Sequence, residues 1–191
     1  NTAFVISRVT TTGFDLGAML QELQITDLMR GRISIDLDLA TAGGSVSSLM
    51  AGLDGYSKII MENGAVHSKF VGLVGAELDK AIARLLMPGQ DKKDFTAINC
   101  FVNRFDFKNG VAETTVLFMD SEHMSVTGEG RIDMGKETLD MALMPRPKEN
   151  IADVGMSIGQ LASNFKIGGT LKNPRIKLDA AGAVKTVEKA L

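Results

Sequence analysis

Residues 126–148 (VTGEGRIDMGKETLDMALMPRPK) and 164–179 (NFKIGGTLKNPRIKLD) alternate apolar and polar side chains with period two. That alternation directs a chain into antiparallel strands with one dry face and one wet face. Glycines sit inside both segments, and a glycine within a strand marks a bend or a close backbone approach. Neither segment carries a catalytic constellation, so the pattern points to an apolar surface rather than a reacting side chain.

The same signal recurs along the chain. In RISIDLDLA, Ile33, Ile35, Leu37 and Leu39 point one way, and Arg32, Ser34, Asp36 and Asp38 point the other. From Asp94 onward strands are predicted at 95–107, 111–120, 124–134, 138–145 and 164–178. One-sided apolar sets are Phe101, Phe105 and Phe107; Val126, Ile132 and Met134; Leu139, Met141 and Leu143; and Phe165, Ile167 and Leu171. Ile176 and Leu178 follow a change of phase near Pro174. Asn63-Gly64 and Asn109-Gly110 are each predicted to turn a hairpin, because both residue types tolerate positive φ.

The first half also carries helical patterns. After Gly13, Gly43 and Gly75, apolar residues fall three, six, seven and ten positions on, which is one stripe of a helix. Asp15 and Ser45 are placed to cap the first two helices, and Gly55 to stop the second. Residues 149–163 suggest a short helix or ordered loop, and 180–191 a final helix with Val184, Val187 and Leu191 on one side. The expected organisation is a single domain over 1–191. It comprises strand–helix units at 1–93, an antiparallel meander at 94–179 and a C-terminal helix at 180–191.

Composition removes several function classes. A net charge of −2, no Trp and one Tyr leave no global basic field and little to stack on nucleic-acid bases. The longest apolar runs are too short to span a bilayer. His67 and His123 lack partners at metal-ligand spacing, and no GxSxG, GxxxxGK[ST] or HExxH motif occurs. A strand pattern continues past Gly128 and Gly130, where a phosphate-binding loop would open a helix. Asp36, Asp38, Glu129 and Asp133 fall on polar strand faces and read as solvated charge. Cys100 reads as a packed thiol. The expectation is no enzyme activity, no cofactor and no metal. The apolar faces are open to two readings: a core covered by the amphipathic helices, or a trough whose dry concave side shelters acyl chains.

The order GFDLGAML, LMRGRISIDLDLATAG, SSLMAGLDGYSKIIMENGAV, FTAINCFVNRFDFKNGVAET, MSVTGEGRIDMGKETLDMALMPRP, FKIGGTLKNPRIKLD resembles the C-terminal region of the AsmA family over nearly the whole chain. The resemblance implies an excerpt of a large bacterial envelope protein, anchored in the inner membrane and projecting into the periplasm. It also implies kinship with bridge-like, repeating β-groove lipid transfer proteins that serve the outer membrane, and it supplies no catalytic residues. The resulting fold expectation is mainly β (α+β): a strongly curved antiparallel sheet forming a trough or half-barrel, with short amphipathic helices packed on or plugging it. All the one-sided residues named above, Ile33 to Leu178, are then candidate lipid-lining positions. The implied partners are a phospholipid or other acyl-chain lipid and an envelope protein, the latter as docking partner if the segment is instead a structural cap.

Overall fold

In a computed structural model, the chain is described at residues 3–24, 27, 29–67, 95–122, 124–148 and 164–179. The expected helices after Gly75, at 149–163 and at 180–191, and His123, lie outside these residues. Among the described residues, nine strands form one antiparallel sheet in strict sequence order. They are β1 (Ala3–Asp15), β2 (Met29–Gly43), β3 (Asp54–His67), β4 (Phe95–Lys108), β5 (Val111–Ser121), β6 (Met124–Asp133), β7 (Thr138–Pro147), β8 (Asn164–Thr170) and β9 (Pro174–Asp179). The two helices among the described residues are α1 (Leu16–Glu22) and α2 (Val46–Ala51). The sheet is open: β1 and β9 are its edges.

The predicted caps form. Asp15 Oδ1 accepts from the Ala18 N–H at 2.9 Å, and Ser45 and Ser48 make a reciprocal capping box around the start of α2. At seven and six residues, neither helix would persist alone in water, so each depends on its contacts with the sheet. Leu16 of α1 packs with Met29, Ile35, Phe101 and Met119 around the buried cluster Ile33, Met61, Val66 and Ile98. The other helix serves the opposite end of the sheet. There the Asn109-Gly110 hairpin adopts the expected left-handed pair, with φ of 48° and 73°, and the Gly110 N–H donates to Leu53 O at 2.9 Å. A Cβ at Gly110 would stand 2.6 Å from the carbonyl oxygens of Met50 and Ala51, so glycine is what allows this turn to meet α2.

Several local expectations are corrected. Asn63-Gly64 does not turn a hairpin: β3 runs through it and pairs with β4 from Gly55↔Phe107 to His67↔Phe95. The left-handed tolerance of Asn63 (φ 51°) serves a bulge instead, where the β2–β3 register shifts between Arg30 and Arg32. Gly52, not Gly55, caps the C-terminus of α2, and Gly55 lies within β3. The predicted strand at 164–178 is two strands. Residues 171–173 reverse the chain, with the Asn173 N–H donating to Thr170 O at 3.0 Å, so the change of phase at Pro174 marks a hairpin.

All the long connections leave from one end of the sheet. Residues 16–28, 68–94 and 149–163 join β1 to β2, β3 to β4 and β7 to β8 there. The opposite end has α2 and the short turns at 109–110, 134–137 and 171–173.

Candidate functional site: a continuous apolar face

Because the pairing is uninterrupted, side chains on one side of each strand join into rows that cross the sheet. One row runs Ile33, Met61, Phe101, Met119, Val126, Pro145 through successive register partners. A second runs Leu39, Gly55, Phe107, Ala112, Ile132, Leu139. Between them, Ile35 stands opposite Ile59, and Leu37 opposite Ser57, which faces Phe105. Farther along, Met141 pairs with Ile167 and Leu143 with Phe165, and the register continues to positions 176 and 178.

Two of the sequence-predicted positions do not join this face. Met134 lies in the turn after β6, where its N–H donates to Gly110 O at 2.8 Å. Leu171 lies in the β8–β9 bend and is 41% exposed. Both extend an alternation past the point where a turn ends the strand.

Other residues of the face were hidden from periodicity. Ile59 and Met61 sit in an Ile-Ile-Met run that favours neither side. Leu117 and Met119 follow a bulge at Thr115: Arg104 pairs with Val116 but Phe105 with Thr114. The extra residue moves the inward set from Ala112 and Thr114 to Leu117 and Met119, so a strict period-two reading fails there. Asn103 is a polar member of the face, 5% exposed, and its amide lies 3.5 Å from Val116 O beside the bulge. The neighbouring strand shows what its glycines are for. Gly128 and Gly130 occupy face positions between Val126 and Ile132; Leu117 lies over the first, and the Met141 chain crosses the second.

Burial along the face is graded. Met61, Val126, Met141 and Phe165 are buried, whereas Leu37, Leu39, Phe105, Phe107, Leu143 and Ile167 are half-buried. Phe105 and Phe107 meet edge to face, their ring centroids 6.5 Å apart. Such a surface can hold an apolar ligand by contact area, and it presents no charged group along these rows.

The opposite face carries the ion pairs, beside a short apolar row of Ile60, Val102 and Phe118. Arg8 pairs with Asp38 at 2.6 Å, Tyr56 donates to Asp36 at 3.2 Å, and the Arg104 guanidinium lies 4.6 Å over the Tyr56 ring. Arg104 also pairs with Asp106 at 2.7 Å, and Thr115 donates to the same carboxylate. The carbon skeleton of the sheet thus separates an apolar side from a salt-bridged one. Cys100, half-buried, is on this second side between Glu62 and Asp120.

Three carboxyl groups are held below the usual aspartate range. Arg104 and then Thr115 do this to Asp106; Lys148 and then Asn99 do it to Asp120; the backbone N–H of Lys136 and then its ammonium do it to Asp133. Their folded-state pKa is depressed, so their contribution is present at neutral pH. It is lost as pH falls below about 4, where the unfolded chain takes up protons first. Urea unfolding at a series of pH values should show a level midpoint from neutrality down to that range and a decline below it. Asp120→Asn should make the decline shallower.

The matches to known proteins bear on the whole sheet. The AsmA family model matches residues 8–117, which is more than half of the chain and takes in most of β1, all of β2 to β4 and most of β5. The chain belongs to the AsmA family. It is 26% identical over 165 residues to the "AsmA family protein YhjG" of Escherichia coli strain K12. That alignment covers 86% of this chain and 23% of the relative, so the chain spans about a quarter of that relative's length. No solved structure matches. AsmA membership suggests a role in envelope and lipid-related processes. Among the described residues, no helix is long and apolar enough to cross a membrane.

Proposed function

We propose that this AsmA chain is a non-enzymatic lipid-handling module. Its apolar face shelters acyl chains as one wall of a curved trough, while lipid headgroups stay in water. The observation that carries this reading is the continuity of the face. Apolar residues of every strand from β2 to β8 stand in register on one side of an open sheet, and many are only half-buried. An ordinary sheet core needs a second layer, whereas the described helices pack at the two ends.

The energetics suit a carrier. Each methylene removed from water contributes about 0.8 kcal/mol. A handful of methylenes on a half-open face therefore gives retention that remains reversible. The parent protein, in this reading, is anchored in the inner membrane and places the module in the periplasm, where it serves phospholipid movement toward the outer membrane.

Lipid extracted from the chain after detergent-free purification from a Gram-negative host, and quantified by mass spectrometry, tests the proposal. The chain should carry acyl lipid, and Phe105→Asp should carry at most about a tenth as much. Circular dichroism should show the variant folded, because Phe105 is half-buried. Equal lipid on the two proteins, or none on either, would overturn the reading.

A further inference from the structure

Three uncharged polar side chains gather around Phe105 on the apolar face. Ser57 of β3 stands opposite Phe105 of β4, and Phe105 opposite Thr114 of β5. Asn103 lies two residues before Phe105 on the same strand and so shares its side of the sheet. The ring is thus flanked by two hydroxyls across the strands and an amide along its own.

Asn103 is the member that packing does not explain. It is 5% exposed, and the flanking face positions on its strand are Phe101 and Phe105. Among the described residues its side chain makes one hydrogen bond, from Nδ2 to Val116 O at 3.5 Å, well beyond the ordinary N–H to O length. That contact sets which way the amide points and leaves its oxygen and one N–H without a partner. A buried amide in that condition is unfavourable, and a leucine of similar volume would complete the apolar row. The two hydroxyls are equally uncommitted. Among the described residues Ser57 makes no side-chain hydrogen bond, and Thr114 reaches only the Met141 sulfur at 3.9 Å, a weak acceptor.

We infer that Ser57, Asn103 and Thr114 form a carbonyl-binding subsite, which takes the ester or amide linkage joining an acyl chain to its headgroup. The subsite rests on the lipid-handling reading and adds a chemical requirement to it: a ligand without carbonyls leaves these donors unpaired. Ser57 and Asn103 are diagonal neighbours, with Cβ atoms about 7–8 Å apart, so the hydroxyl and the spare N–H can converge on one carbonyl. Thr114, on the far side of Phe105, can take the second carbonyl of a two-chain lipid. An amide linkage would in addition donate its N–H to Asn103 Oδ1.

The test is titration of the ¹⁵N-labelled chain with dihexanoyl phosphatidylcholine, its dihexyl ether and its diamide analogue, each below its micelle concentration, followed at the Asn103 side-chain amide and the Phe105 backbone amide. The ester should bind about three- to tenfold more tightly than the ether, the worth of one neutral hydrogen bond. Asn103→Leu should bind the ether at least as well as the parent does and lose the preference. Ser57→Ala, at a half-buried position, should reduce the preference and gives the answer even if the leucine variant does not fold. A role confined to the bulge beside Val116 would change stability and leave the ester-to-ether ratio as it is. Tighter binding of the diamide than of the ester identifies an amide-linked lipid as the ligand; equal or weaker binding identifies an ester. Equal affinity for all three probes, or a preference that survives both substitutions, would overturn the subsite and leave acyl-chain sheltering standing. Binding of none of them would overturn both.

Discussion

Gly130→Ala is expected to lower the stability of the chain by about 3 kcal/mol or more, which combines a strained backbone with a steric clash. Gly130 has φ of +140°, a backbone conformation that L side chains rarely adopt. A Cβ there would overlap the Asp140 carbonyl oxygen and stand 2.6 Å from Met141 Cα. Both are backbone atoms of the paired strand and cannot swing aside. In a domain of this size the loss corresponds to a fall in thermal midpoint of about 6–12 °C. Gly168→Ala is the matched control, since its Cβ would meet nothing closer than 3.8 Å. Its stability should hold or rise slightly, by under about 1 kcal/mol, through a less flexible unfolded chain. Equal losses at the two glycines would show that composition, and not the close approach of β7 to β6, is what matters.

Phe165→Ala is expected to cost about 3–5 kcal/mol, the range for truncating a buried aromatic side chain. Phe165 is 2% exposed and stands in register with Leu143 on the apolar face. Removing its ring leaves a void that neighbouring strands, held by their hydrogen-bond ladders, can fill only in part. Ile167→Ala, two residues on and half-buried, should cost clearly less, because part of its surface is already in contact with water. Urea unfolding at constant m-value would give both numbers. A Phe165 variant as stable as the parent would mean that the β7–β8 end of the face is not packed as described.

Much of the sheet is legible from period-two alternation. Strands β4 to β7 fall within two residues of their expected limits, and the inward sets of β2, β4 and β7 are those read from the sequence. Alternation works there because nothing breaks the register. It fails at Thr115, where an inserted residue flips the inward side of β5, and at Asn63, where one left-handed residue serves a bulge as readily as a turn. A hairpin without an Asn-Gly pair, such as 171–173, leaves only a change of phase as its trace, which a strand-long bend would produce equally well. The pairing of Lys166 with Lys177 leaves no trace in the sequence for a different reason: the two are eleven positions apart and become opposite only through that hairpin.

On the proposed function, one side of this sheet meets acyl chains and the other does not. Its most direct measurement is site-specific photocrosslinking in living bacteria, with the full-length parent protein. A photoreactive residue would be placed in turn at Leu37, Phe105 and Ile167 on the apolar side, and at Asp38, Lys58 and Arg104 on the charged side. Lipid adducts from the first three positions and none from the second three are the predicted result. Adducts of equal yield from both sides, or none from the apolar side, would contradict it.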